Sequence, residues 1–586
     1  MKRIITALFL LSVISHIVPA QSVSFPDDSK QRGYYDRPYK RYEAEPGRCT
    51  GTGTFLSPTW VQTELQSEAS NAIALQLIEK GSYVEWKNDE AADGMVIRFS
   101  IPDAEEGRGI KGEIALYVNN KFVQNITLDS YWAWQYAALA GKQTYPDNTP
   151  SDYKFARMRF DDVRVKLSGK IPKNARFKLV KADDNNLPYT IDFVELELIA
   201  PAVTFESIQA ADKVMYRESD GPLIDFIAAH DGKTIYIPEG RFDVADRIHI
   251  RKPNTRIIGA GMWYTELFFS ASADNAETYA KRGIETNQNN ILLEGFFMNT
   301  ANDRRYFILP GGRNGLVGKG VMGSFGTGSV IRNVWNEHFE CGGWIDRADN
   351  LTVQHCRFRN HYADGINLAS GSKNSVVEHC SFRNNGDDDM ASWSSGRVRC
   401  EYNTYRYCTA ENNWRASSVG FFGGEGHKAH HLVIIDSMEA ALRVTTDFPG
   451  QPFSDKGMIL YEDISVYNAG CRTGPLGFYG DFIDGTEAGA IHITSYDKYD
   501  LKNIKFANID LYNSKWNAVF IDAKNQKMIE NLYLENINIY GTGNFGVSFN
   551  NAIGNVFYNN LKFYEVKKER ELGAIPRWLE YMPSGN

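Results

Sequence analysis

The chain lacks what a metal cluster, a nucleic-acid interface or a membrane protein would need. Its seven cysteines (Cys49, Cys341, Cys356, Cys380, Cys400, Cys408 and Cys471) include no CxxC pair and no His/Cys spacing suited to zinc, and their odd number leaves at least one thiol unpaired. The formal net charge of −8 argues against a nucleic-acid partner, because phosphate binding needs a basic face. Beyond the N-terminus no apolar run is long enough to span a bilayer, and no long helical period supports a leucine-rich helical solenoid. At the N-terminus, Lys2 and Arg3 precede an apolar stretch from Ile4 to Ile17 and the small-residue site Val18-Pro19-Ala20. That order reads as a secretory signal peptide cleaved near Ala20, so a secreted monomer, periplasmic or extracellular, is expected.

Residues 21–40 are polar and aperiodic and read as a leader or linker. From 41 to about 205, short alternating segments such as Met95 to Ile101, Gly112 to Val118 and Ile191 to Ile199 are separated by turn signals such as Asn119-Asn120, the pattern of a β-sandwich. The aromatic run from Tyr131 to Tyr136 suits either a sugar-stacking platform or packing against a neighbouring domain. From 206 to about 570, strand-sized apolar pieces recur once per coil, as in Leu351 to Phe358, Ser375 to Phe382 and Thr404 to Ala410. Repeats too small to bury a face alone must stack, so a right-handed parallel β-helix is expected, with 571–586 as a C-terminal tail. The expected fold is therefore all-β.

Two hexamers define the most informative stretch. His355-Cys356-Arg357-Phe358-Arg359-Asn360 and His379-Cys380-Ser381-Phe382-Arg383-Asn384 are offset by 24 residues, and Asp364 and Asp388 each follow their cysteine by eight. Stacked coils lie about 4.8 Å apart, so these two acids should be neighbours, with Asp387 beside them. Crowded carboxylates hold a proton to higher pH than isolated ones, which separates a proton donor from a base as glycosidic cleavage requires. Gly386 should supply the bend that brings Asp387 and Asp388 to one side. Turn-capping acids or a cation site is the blander alternative. Glu337 and Glu340 are candidate fourth acids. Trp393, Trp344, His427, His338 and Arg443 are candidates for substrate contact, each with an alternative as a packing residue.

Several of these residues carry a resemblance. Tyr42-Glu43-Ala44-Glu45 with Ile191-Asp192-Phe193-Val194-Glu195-Leu196 resembles the first and last strands of carbohydrate-binding modules of the family 6 and 35 type, which implies a structural Ca²⁺ held by Glu43, Glu45 and Asp192. The opening of the second domain, Asp231 to Gly240, resembles that of pectin-degrading β-helices. Ala363-Asp364-Gly365-Ile366-Asn367 followed by Asn385-Gly386-Asp387-Asp388 resembles the acidic triad of glycoside hydrolase family 87, the α-1,3-glucanases or mutanases. A small Gly is more usual in that family where this chain has Asp389. The resemblance implies hydrolysis of α-1,3-glucan with inversion and no cofactor in the chemistry. Asp387 would be the general acid, and Asp364 and Asp388 would position and activate water. The other readings are a polygalacturonase-like hydrolase and a non-catalytic glycan-binding β-helix.

Overall fold

The computed structural model describes residues 33, 37–136, 148–150, 156–446, 450–470, 488–495, 498–523, 527–572 and 577–581. The signal peptide, most of the leader and Cys471 lie outside the described residues. No helix among them is long and apolar enough to cross a membrane.

Two antiparallel sheets form the N-terminal sandwich. One contains Lys40–Glu43, Thr54–Leu56, Ala74–Leu77, Ala92–Ser100, Asp161–Ile171 and Tyr189–Glu197; the other contains Thr50–Gly51, Tyr83–Lys87, Lys111–Val118, Lys121–Asp129 and Arg176–Lys181. Alternation sends Phe177 and Leu179 inward to meet Trp86, Ile97, Phe99, Ile114 and Leu116. Ala92–Ser100 and Tyr189–Glu197 are buried on both faces, because the second domain covers the side that would otherwise be wet. Arg98, Glu195 and Glu197 point to that side.

The second domain starts at Val214–Met215, carries a short α-helix (Leu223–Ala229), and continues as a stack of parallel strands ending at Arg577–Glu580. The coil register repeats the sequence offset: Phe358 pairs with Phe382 and Phe382 with Ala410. The Phe358 and Phe382 rings stack with centroids 5.1 Å apart. Cys356, Cys380 and Cys408 form an interior ladder of buried, unpaired thiols. At the adjoining corner Asn360, Asn384 and Asn412 all have positive φ, and the Asn384 amide donates to Asn360 Oδ1 at 2.8 Å.

Two expected boundaries change. Arg37 and Tyr39, assigned to the leader, are packed between the domains, with Arg37 donating to Glu411 and Tyr39 meeting Ser381. Arg577–Glu580, assigned to the tail, pairs with Asn555–Tyr558 as a further strand. The aromatic run also belongs to the domain junction: the Tyr131 hydroxyl donates to Ala301 O and the Trp132 indole to Thr300 O, both at 2.9 Å. It is packed against the second domain and is not an open sugar platform.

Candidate active site

Asp364 and Asp388 come together through strand register. Ile366 pairs with Met390 and Met390 with Val419, so the residues two places earlier, Asp364, Asp388 and Ser417, line up across three coils. The Gly365 N–H donates to Asp388 O at 3.0 Å and the Asp389 N–H to Ser417 O at 2.9 Å, which extends the ladder to the acids. Asp387 joins them because the chain bends between Asn384 and Asp387 before Met390–Trp393 begins. Gly386 is needed there for space: a Cβ would lie 2.0 Å from the ring of Trp414. One carboxylate oxygen from each acid falls within 4.8 Å of the others, and this is the only group of three metal-capable side chains so gathered among the described residues.

The three acids have different partners. Asp364 accepts from Asn367 Nδ2 at 2.8 Å, and Asp388 from the Ser417 hydroxyl. Asp387 accepts from Arg305 Nη2 at 2.7 Å and from Arg415 Nη1 at 2.9 Å, both at Oδ2. Burial, then the charges of Asp387 and Asp388, pushes the Asp364 pKa well above the carboxylate range. Burial and the Asp387 charge push Asp388 up to about 7. Burial acts on Asp387 too, but Arg415 and Arg305 outweigh it and hold Asp387 below its ordinary value. Burial and crowding thus favour the protonated form of Asp364 and Asp388, whereas the two guanidiniums favour the ionised form of Asp387.

Along the outward face beside the triad, Trp344, Asn367, Ala391, Gly420 and Arg443 form one row. At Gly420 there is no room for a side chain: a Cβ would lie 2.7 Å from the Phe422 ring and 3.1 Å from Ser417 Oγ. Half-buried Trp344 and Trp393 meet edge to face, centroids 5.8 Å apart. Arg443 reaches Glu439 at 3.2 Å and contributes its positive charge at Asp388. Trp344, Trp393 and Arg443 are thus half-buried on the outward face beside the triad.

His427 and His338 are not on that face. His427 is fully buried inside the coil, its Nδ1 accepting from the Asn403 N–H and its Nε2 near Ser392 Oγ at 3.4 Å. His338 is buried between the domains, stacked on Trp132, with ring nitrogens at Asn299 Oδ1 and Asp161 Oδ1. Glu337 accepts from the Trp335 indole in the buried junction, so it is no fourth acid. Glu340 pairs with Lys319, which lies 4.5 Å over the Trp344 ring and so stays near the site. Glu43, Glu45 and Asp192 do not build the expected calcium cage. Asp192 is taken by Arg98 and the Ser70 N–H, Glu45 by Asn71, and Glu43 by the Ser70 hydroxyl. A hard cation would have to displace a guanidinium from that set.

Comparison with known proteins follows the same outline. Residues 36–199 match the family described as alpha-1,3-glucanase catalytic domain D1, and residues 214–568 the family described as alpha-1,3-glucanase catalytic domain D2. No curated protein matches the chain. Among solved structures, the catalytic domain of Agl-KA is 29% identical with a TM-score of 0.81, covering 94% of this chain and 99% of that one. A GH87 α-1,3-glucanase catalytic domain, solved as an aspartate-to-alanine variant with tetrasaccharides, is 23% identical with a TM-score of 0.81, covering 95% and 100%. The catalytic unit of the thermostable enzyme from Streptomyces thermodiastaticus strain HF3-3 is 20% identical with a TM-score of 0.76, covering 94% and 96%, and shares the fold. The single-aspartate variants solved for the second of these enzymes replace positions spaced as Asp364, Asp387 and Asp388 are here.

Proposed function

The chain belongs to the α-1,3-glucanases of glycoside hydrolase family 87, and from that premise we propose that it is a secreted enzyme hydrolysing the α-1,3-glucosidic bonds of α-1,3-glucan, with inversion, through Asp364, Asp387 and Asp388. The observation that carries this reading is the unequal triad. Asp387 is clamped ionised by Arg305 and Arg415, while Asp388 titrates at about 7 under burial and the charge of Asp387. A cleft holding one ionised and one protonated carboxyl near neutral pH has the two components of acid/base hydrolysis. The Asp364–Asp388 pair supplies the proton to the departing glucosyl oxygen, and Asp387 is the base facing water. The pair titrates as a unit.

The mutual approach of the carboxylates is tighter than the roughly 6.5–9.5 Å usual when water attacks across the ring from the acid. Inversion in this site therefore requires the water to be held against the triad itself. The anomer released first, followed by NMR on an α-1,3-linked oligosaccharide, tests this. The β-anomer is expected, and the α-anomer would rule inversion out. Lys319, Arg305, Arg415 and Arg443 are each already paired with an acid, which suits a neutral glucan better than a uronate. Reducing ends released from insoluble α-1,3-glucan and not from polygalacturonate are expected. The opposite pattern would replace this reading with a galacturonan hydrolase.

The titration order also fixes the pH profile. Activity should fall as pH rises through about 7, when the donor pair loses its proton. It should fall on the acid side only below the ordinary carboxylate range, when Asp387 protonates. Removing one guanidinium with Arg415→Met should move that acid limb upward by about one pH unit. An acid limb that does not move would show that Asp387 is not the ionised partner.

A further inference from the structure

Asp389 takes no part in the chemistry above, yet it is an acid with no exposure at all. It sits at the bend that leads into Met390–Trp393, with Gly365 of the preceding rung and Ser418 of the next beside it. A buried carboxyl in such a place must be hydrogen-bonded and is easiest to hold when neutral. One oxygen is accounted for: the Asn385 amide donates to Asp389 Oδ1 at 2.8 Å. Asn385 is itself fixed to the preceding coil, donating to Phe358 O and accepting from the His361 N–H, each at 3.2 Å. The other oxygen, Oδ2, is buried without a hydrogen-bond partner, as are Ser418 Oγ and Asn413 Oδ1, whose side chains interact with this carboxyl. The Ser418 hydroxyl can donate to this oxygen, and the Asn413 side chain lies beside it. The opposite end of the same Asn413 amide donates to the carbonyl of Asp387.

We propose that Asp389 is a positioning residue: its carboxyl ties Asn385 on one side and meets Asn413 on the other, and so fixes the Asp387–Asp388 peptide in the cleft. Burial pushes its pKa up to about 8, against the hydrogen bonds of Asn385, Ser418 and Asn413, which favour the charged form. Asn413 is then the link between an interior acid and a catalytic carbonyl, and Asp389 governs turnover without touching substrate.

The inference rests on the hydrolase reading, and the test keeps the two apart. Wild type, Asp389→Asn and Asp389→Ala are compared for kcat and KM on a soluble α-1,3-linked oligosaccharide, with the fold checked by circular dichroism. Asp389→Asn, an isosteric neutral donor and acceptor, should keep kcat within about 3-fold of wild type, whereas Asp389→Ala should lower kcat by about 30-fold or more with KM within about 2-fold, as expected when reacting groups are misplaced by fractions of an ångström. Should Asp389→Ala not fold, Asn413→Ala is read in its place with the same expected loss confined to kcat. A folded Asp389→Ala or Asn413→Ala with wild-type kcat overturns the inference, as does an Asp389→Asn variant as slow as Asp389→Ala. An inactive wild type overturns the hydrolase reading and the inference together.

Discussion

Asp388→Asn is expected to lower kcat on α-1,3-glucan by about three orders of magnitude near pH 6, with KM changed by no more than a few-fold. The amide preserves the shape of the side chain and accepts the Ser417 hydroxyl as the acid does, so the fold should be unaffected and the loss belongs to proton transfer. Asp387→Asn should be comparably slow for a different reason: it removes the charge that Arg305 and Arg415 hold ready. The two are separated by the leaving group. A glucoside with an activated aryl leaving group needs little protonation, so it should restore much of the activity of Asp388→Asn and little of that of Asp387→Asn. The reverse pattern would make Asp387 the proton donor and would mean that its two arginines move away when sugar binds. Equal rescue of both would sink any single-residue assignment.

The partners that set each acid's charge were the part of the site that the sequence did not reveal. The 24-residue repeat made Asp364 and Asp388 visible as stacked acids, because strand register copies sequence offset directly. Ser417 occupies the equivalent place one coil later, but the offset from Cys380 to Cys408 is 28, and counting eight from Cys408 lands on Ala416. One inserted residue hid the hydroxyl that holds Asp388. Arg305 was beyond any local pattern. It precedes the hairpin of Tyr306–Leu309 and Arg313–Leu316 and reaches Asp387 from 82 positions away. His427 shows the converse failure, since a histidine after a glycine looks the same in sequence whether it faces the cleft or the interior. The sandwich and the β-helix were legible because period-two alternation and coil repeats are local. The ion pairs that join them were not, because they depend on which faces meet.

Those ion pairs should make the two domains unfold as one. Arg383 donates to Glu195 at 2.7 Å and to Asp162 at 2.7 Å, and all three side chains are buried at the junction. Arg41 bridges Glu195 and Glu411 from the sandwich edge, and Arg359 also faces Glu195. Breaking a buried pair leaves charge in a dry interface, so Arg383→Met is expected to destabilise the protein by about 3–5 kcal/mol. Adding Asp162→Asn removes one of the stranded charges, and the double variant should be less destabilised than the sum of the singles by about 1–3 kcal/mol. The pH dependence has a definite sign. Burial opposes the charge on Glu195 and on Glu411, but the arginines outweigh it and hold both below the carboxylate range. Their stabilising effect is present above the unfolded pKa and is lost only as pH falls through the depressed folded values. Arg383→Met weakens that depression, so its acid unfolding should begin at higher pH than in wild type. Calorimetry of the wild type should show a single transition spanning both domains. Two separate transitions, or an Arg383→Met variant within about 0.5 kcal/mol of wild type, would show that the sandwich is an attached module and not part of the same folding unit as the catalytic coil.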